Sequence, residues 1–228
     1  NIALLGTGLA ADELIAPALK LTRHAQLWSV LSRDRSKALD LATRHGAAST
    51  QAAYESLDAL LSDPELDAVY VASPDGLHAT QVIAAAQAGK HIICEKPIAT
   101  SVDDAKAMVN ASNTANVVMA IAYHLRWHSG HRKLAELISS GGLGTIRHMR
   151  VHWSFGLDND HNWRASDNVG RWWSLGSTGT HNLDLIRWML LPSCGEVEEI
   201  KSTITRSIWN GPHDETAIVS MRFESGAT

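Results

Sequence analysis

The sequence predicts an α/β chain. Its first half reads as a doubly wound parallel sheet, and its second as an α+β region with a largely antiparallel, open sheet. Three observations carry this. Up to Tyr123, short apolar runs alternate with helix-length segments, the pattern of βαβ units. Beyond Tyr123 the alternation stops, and longer half-apolar strands follow. Of the 228 residues, 45% are hydrophobic and 19% charged, enough to bury a core without disulfide staples. The boundary is set there, giving domains 1–123 and 124–228.

Taken in order, Ile2–Leu5 reads as an apolar strand, and Ala10–Leu21 as a helix with Pro17 a local irregularity. Leu27–Leu31 is the next strand. Ser36–His45 is helical, closed by Gly46 at a C′ position. Leu57–Leu61 is a short helix, Asp67–Ala72 a strand, His78–Ala88 a helix ended by Gly89, and His91–Cys94 a strand. Val102–Ser112 opens with Asp103 and Asp104, as the helix dipole favours, and Val117–Tyr123 is a further strand. In the second half, Arg132–Ser140 reads as a helix and Thr145–Phe155 as a half-exposed strand. The stretch 158–177 is polar and Trp-rich. His181–Leu191 is a helix expected to stop at Pro192, and Val197–Arg206 and Thr216–Phe223 are antiparallel strands. Because Ser225-Gly226-Ala227 looks like a hairpin turn, the sheet is expected to continue beyond residue 228. Asn1 already lies in a strand, so an initiator segment is expected before it.

A formal charge of −4 gives no electrostatic reason to expect nucleic acid or an anionic membrane as partner. No apolar run reaches the ~20 residues of a spanning helix. Two cysteines, Cys94 and Cys194, are too few for a disulfide framework; reduced thiols and a cytoplasmic location are expected.

Residues 6–11 read G-T-G-L-A-A, between a strand and a helix. In this G-x-G-x-x-A form, Gly6 allows the tight turn and Gly8 lets backbone approach a pyrophosphate. The small Ala11 lets helix and strand pack closely, and the helix N-terminus receives the phosphates. Thr7, Leu9 and Ala10 complete the cofactor-binding loop. The second strand runs into Ser32-Arg33-Asp34, with a neutral residue where NAD-binding folds usually place a carboxylate. A serine hydroxyl and a guanidinium suit a 2′-phosphate, so NADP(H) is preferred. The alternative is NAD(H), with Asp34 on the ribose and Arg33 a solvated charge.

Residues 91–97 read H-I-I-C-E-K-P, putting Lys96 at the carboxyl edge of the sheet, where ligands bind in such folds. Together with G-T-G-L-A-A, V-Y-V-A-S-P-D-G-L-H at 69–78 and G-T-H-N-L-D at 179–184, this segment resembles the Gfo/Idh/MocA oxidoreductases along the whole chain. The resemblance implies a Rossmann domain, and a second domain whose open sheet often mediates homo-oligomerisation. It implies hydride transfer between NAD(P) and an alcohol carbon of a sugar, polyol or related small molecule. It also implies that Lys96 touches substrate hydroxyl and nicotinamide ribose, and that His181 acts as acid/base. Ser73, Pro74, His78 and Glu95 are expected on the cofactor side. Trp163-Arg164 matches a recurrent pair near the cofactor. His124, Ser177, Lys96 and His181 are expected around the substrate.

The chemistry is coherent by itself: oxidising an alcohol needs a base of near-neutral pKa for the hydroxyl proton, and a cation for the developing alkoxide. Three departures from the family pattern stand out. Ser177 replaces an Asp four residues before the histidine, Arg171-Trp172-Trp173 replaces a glycine-rich run, and His124 replaces the Asn of Y-N-x-R. They motivate a second reading, a cofactor-binding sensor or regulatory protein without catalysis. His124, His128 and His131 have spacings that could share a helix face, yet no metal site is expected. Trp127, Trp153, Trp163, Trp172 and Trp173 could wall a sugar or pack beneath an irregular loop; packing is expected for most.

Overall fold

A computed structural model describes residues 1–156, 173–208 and 213–228. The chain divides into two compact units, Asn1–Ala122 and Tyr123–Thr228.

The first unit is a Rossmann-like sheet of six strands: β1 (Ile2–Leu5), β2 (Leu27–Leu31), β3 (Ala53–Tyr54), β4 (Ala68–Val71), β5 (His91–Cys94) and β6 (Met119–Ile121). Their order is β3-β2-β1-β4-β5-β6, and every pairing is parallel. The order reverses between β1 and β4, so the loops leaving these strands open the crevice where such sheets bind ligands. Alternation along β1 explains the two cores. Ala3 and Leu5 join one apolar cluster with Val71, Ile92 and Met108, while Leu4 joins another with Val30, Leu41 and Ala16.

The connecting helices are α1 (Ala16–Lys20), α2 (Arg35–His45), α3 (Leu57–Leu61), α4 (His78–Gln87) and α5 (Val102–Thr114). Helix α1 continues a π-helical stretch, Ala10–Ile15, with Pro17 in its first turn. Three helices start on a side-chain cap. Asp34 accepts from Ser36 N and Lys37 N, Ser56 from Ala59 N, and Ser101 from Asp104 N. Such a cap contributes about 1 kcal/mol. Gly46 closes α2 at φ +70°, as its position after the helix predicts.

In the second unit, α6 (Ser129–Ser139) and α7 (Thr180–Cys194) accompany a hairpin of β7 (Val197–Thr205) and β8 (Thr216–Phe223), paired antiparallel. A π-helical stretch, Leu175–Gly179, leads into α7. Leu190, Cys194 and Phe223 are buried together; Ile138, Leu185 and Met189 form a second cluster. Ile200 and Ile218 stay exposed on the hairpin.

Two expectations are corrected here. Thr145–Phe155 forms no strand over its described length. Among the described residues its backbone bonds to the last residue, with Met149 N donating to Thr228 O and Thr228 N to Arg147 O. Alternating side chains make a strand only where a ladder partner runs alongside. Pro192 does not stop α7, which runs to Cys194. In the last turn a proline forfeits a single N–H bond, and little helix remains to disrupt. Smaller shifts are a start of α6 at Ser129 rather than Arg132 and a shorter β6.

Candidate active site

The expected cofactor residues of the first unit lie on the loops and strand ends at the carboxyl end of the parallel sheet. Gly6 sits at φ +117°, and a Cβ there would lie 2.7 Å from Ala72 O and 3.1 Å from Ser73 N. The glycine thus lets the loops after β1 and β4 touch through backbone. At Gly8 a Cβ would meet nothing within 4 Å, so the exposed loop is open to a ligand on that side. This cradle, at the start of a helix, fits a dinucleotide pyrophosphate.

Beyond β2, the half-buried Ser32 places its hydroxyl 3.5 Å from that of Thr7 and accepts from Asp34 N. Asp34 is committed to α2: one carboxylate oxygen accepts from Ser36 N at 3.0 Å, Ser36 Oγ at 2.6 Å and Lys37 N at 3.3 Å. The Ser36 hydroxyl, then the Lys37 N–H, hold this carboxyl below its ordinary value. Thr7, Ser36, Lys37, Asp40, Leu41 and Arg44 line a hollow of about 370 Å³ beside the glycine loop. Ser36 and Lys37 escaped sequence reasoning, although the basic spacing Arg33, Arg35, Lys37 was visible. Arg44 is occupied by Asp12 and Asp40.

The strand β5 delivers Glu95-Lys96-Pro97, with Lys96 half-buried and the Lys96–Pro97 peptide cis. Tyr70 Oη donates to Glu95 Oε1 at 3.0 Å, and Lys96 N donates to Glu95 Oε2 at 3.2 Å. Tyr70 is a partner that alternation along β4 could have flagged. Its phenol is raised in pKa by burial, then by the Glu95 charge beside it. Burial likewise pushes the Cys94 thiol up, with Glu95 and Asp75 adding to it, which disfavours the thiolate. Ser73 Oγ donates to Gln81 at 2.7 Å. His78 is fully buried, and its ring nitrogens lie 2.9 Å from Pro97 O and 3.1 Å from Ser73 O. Both ring nitrogens of this buried imidazole are thus engaged by backbone carbonyls.

In the second unit, His181 lies in the first turn of α7, 3% exposed. Among the described residues, three rings lie against it. His124 meets it edge-on at 4.8 Å between centroids, Tyr123 edge-on at 6.0 Å, and Trp153 stacks at 5.7 Å with 23° between planes. Tyr123 Oη is 2.9 Å from Thr180 Oγ1, and burial raises its phenol. Ser177 lies one turn ahead, in the π-helical stretch. Asp184 is no substitute for the missing carboxylate: Arg126 donates to both its oxygens, at 2.9 and 2.5 Å. The buried Asp214, absent from the sequence-based list, accepts from Trp173 N and from Leu175 N, fixing the approach to α7.

The three spaced histidines do not share a helix face. His124 is in a 3₁₀ turn, His128 precedes α6, and His131 Nδ1 is 2.9 Å from Leu125 O. Among the described residues, no group of three or more His, Cys, Asp or Glu could hold a metal, and no helix is long and apolar enough to cross a membrane. Trp127 is exposed beneath Arg132, so of the described tryptophans Trp153 alone stacks on the candidate base. Trp163, Arg164 and Trp172 lie outside the described residues.

Residues 1–123 match the family described as "Oxidoreductase family, NAD-binding Rossmann fold", and residues 131–228 the "GFO/IDH/MocA C-terminal domain". A 1,5-anhydro-D-fructose reductase of Ensifer adhaerens is 30% identical over 226 residues, covering 98% of this chain and 66% of that protein. A D-xylose 1-dehydrogenase (NADP(+)) of Haloferax volcanii is 36% identical over 154 residues, 68% of this chain and 46% of that one. The crystal structure of an aldose-aldose oxidoreductase from Caulobacter crescentus, complexed with glycerol, superposes with a TM-score of 0.90 at 27% identity, covering 99% of this chain and 68% of that one. The chain spans two thirds or less of the length of these curated relatives.

Proposed function

This chain belongs to the Gfo/Idh/MocA oxidoreductase family, and from that premise we propose that it transfers hydride between NADP(H) and a hydroxyl-bearing carbon of a sugar or polyol. The glycine cradle supports dinucleotide binding, because Gly6 admits no side chain against Ala72 O. The bound nicotinamide supplies or accepts the hydride. His181 takes the hydroxyl proton during oxidation and returns it during reduction, and the Lys96 ammonium stabilises the alkoxide. The aromatic surround of His181 excludes water from the imidazole and presents flat faces suited to a sugar ring. Relatives named for 1,5-anhydro-D-fructose and D-xylose point to the same substrate class.

The preference for NADP rests on Asp34. Its carboxylate caps α2, whereas Ser32 faces the glycine loop and Lys37 lines the hollow beside it. A 2′-phosphate would find a hydroxyl and a cation there, with Arg33 next in sequence. Fluorescence titration decides: NADPH is expected to bind at least about tenfold more tightly than NADH, and Lys37→Ala to remove most of that margin. Tighter NADH binding overturns the preference.

Turnover is tested with D-xylose, myo-inositol and 1,5-anhydro-D-fructose. Lys96→Ala and His181→Asn are each expected to lower kcat/KM by about 10²–10³-fold. One observation favours a second reading, that of a sensor. Ser177 supplies no carboxylate for His181, and Asp184 is taken by Arg126. Tight NADPH binding with no turnover across the panel would establish it.

A further inference from the structure

The parallel ladder between β4 and β5 ends where Glu95 N donates to Val71 O at 2.9 Å. Past that point the chains continue as separate loops, one carrying Ser73 and Pro74, the other Lys96 and Pro97. The His78 ring lies between them. Nδ1 is 2.9 Å from Pro97 O and Nε2 is 3.1 Å from Ser73 O. Both acceptors are carbonyls, which only accept, so in every protonation state at least one contact is an N–H donation. The ring is 0% exposed. A polar ring at full burial costs stability unless bonded, and a leucine or phenylalanine would fill the same space without that cost.

We propose that His78 is a positioning residue. It ties the loop after β4 to the loop after β5, where the sheet no longer does so, and thereby fixes the backbone from which Lys96 projects. This rests on the reading of Lys96 given above. Lys96 then lies between two anchors. Before it, Glu95 is held by the ladder bond and by the Tyr70 hydroxyl, and its second carboxylate oxygen accepts from Lys96 N. After it, Pro97 O is held by His78.

A double-mutant cycle on the NADPH dissociation constant tests this, with NADH in parallel and denaturant melts to verify folding. His78→Ala is expected to weaken NADPH by about five- to tenfold, the worth of one buried hydrogen bond or slightly more. In a Lys96→Ala background the same change is expected to cost less than about twofold, because the group through which it acts is gone. His78→Gln keeps one amide donor and is expected to recover part of the loss. It carries the cycle if His78→Ala does not fold. A loss in the Lys96→Ala background at least half as large, in free energy, as in the wild type overturns the proposal. A Lys96→Ala variant that binds and turns over like wild type overturns instead the reading of Lys96.

Discussion

The two units hold their candidate chemical groups by different means. In the first, the fixing contacts run through backbone. Gly6 rests on Ala72 O and Ser73 N, His78 bridges two carbonyls, and Lys96 follows a strand whose ladder ends one residue before it. In the second, His181 is held by ring faces and edges, from Tyr123, His124 and Trp153. Its neighbouring charges, Arg126 and Asp184, are spent on each other. Backbone-held geometry tolerates almost no change of side chain at the point of contact, whereas ring packing tolerates substitution that keeps volume and shape. The first unit is therefore expected to fail abruptly under mutation, and the second in steps.

The sharpest break is expected at Gly6. Gly6→Ala puts a Cβ 2.7 Å from a backbone oxygen at φ +117°, so both the loop and its neighbour must move. The strain is about 1–3 kcal/mol from the backbone conformation alone, with the steric overlap added. Urea unfolding should show a loss of at least about 2 kcal/mol. NADPH titration should show binding weakened by more than about 100-fold, since the cradle itself is displaced. Near wild-type affinity would refute the abrupt half of the comparison.

The second unit offers a stepwise test at Arg126. Asp184 has 8% of its side chain exposed, and Arg126, 43% exposed, satisfies both oxygens. The guanidinium also lies over the Tyr123 and Trp188 rings, at 5.9 and 5.8 Å. Arg126→Ala leaves a largely buried carboxylate without its cation. Exposure of the arginine screens the pair, which reduces the expected loss to about 1–3 kcal/mol. Arg126→Ala combined with Asp184→Asn should recover part of it, as removing both charges relieves the desolvation. A double variant no more stable than Arg126→Ala would show that the ring contacts, not the charge pair, carry the effect.

The same contrast explains what was legible in the sequence. The first unit's chemistry is written in residues whose backbone demands are unusual: glycine at positive φ, a proline after a lysine at a strand end, and alternating apolar strands. Each leaves a local mark, so β2, β5 and α3 emerge with their observed bounds. His78 was legible as a motif member, but not as a bridge, because Pro97 lies 19 residues away. In the second unit the decisive contacts join distant positions. Tyr123 meets Thr180 across 57 residues, and Asp214 fixes Trp173 across 41. No local period encodes such contacts. Thr145–Phe155 differs from its strand reading for the same reason: alternation is local, whereas a strand needs a ladder, and its described backbone bonds reach only to Thr228. Trp153 showed the residue type without its place, stacked on His181.

The smallest effect is expected at a surface cluster of the first unit, where side chains rather than backbone make the contact. Asp12, in the π-helical stretch after the glycine loop, meets Arg44 and His45 at the end of α2. The Arg44 bond, then the His45 bond, lowers the Asp12 carboxyl to about 2 from 3.8. A carboxylate whose pKa is lower in the folded state stabilises the fold above its unfolded value, and loses that contribution as pH falls through the folded one. The contribution is thus intact above pH of about 4 and gone near pH 2. Solvent screening holds it below about 1 kcal/mol. Asp12→Asn should lower urea stability by that amount at pH 7, and the gap from wild type should close as pH drops towards 2. A gap that persists unchanged to pH 2 would mean that Asp12 acts by packing rather than charge. The first unit would then be held by shape even at its surface.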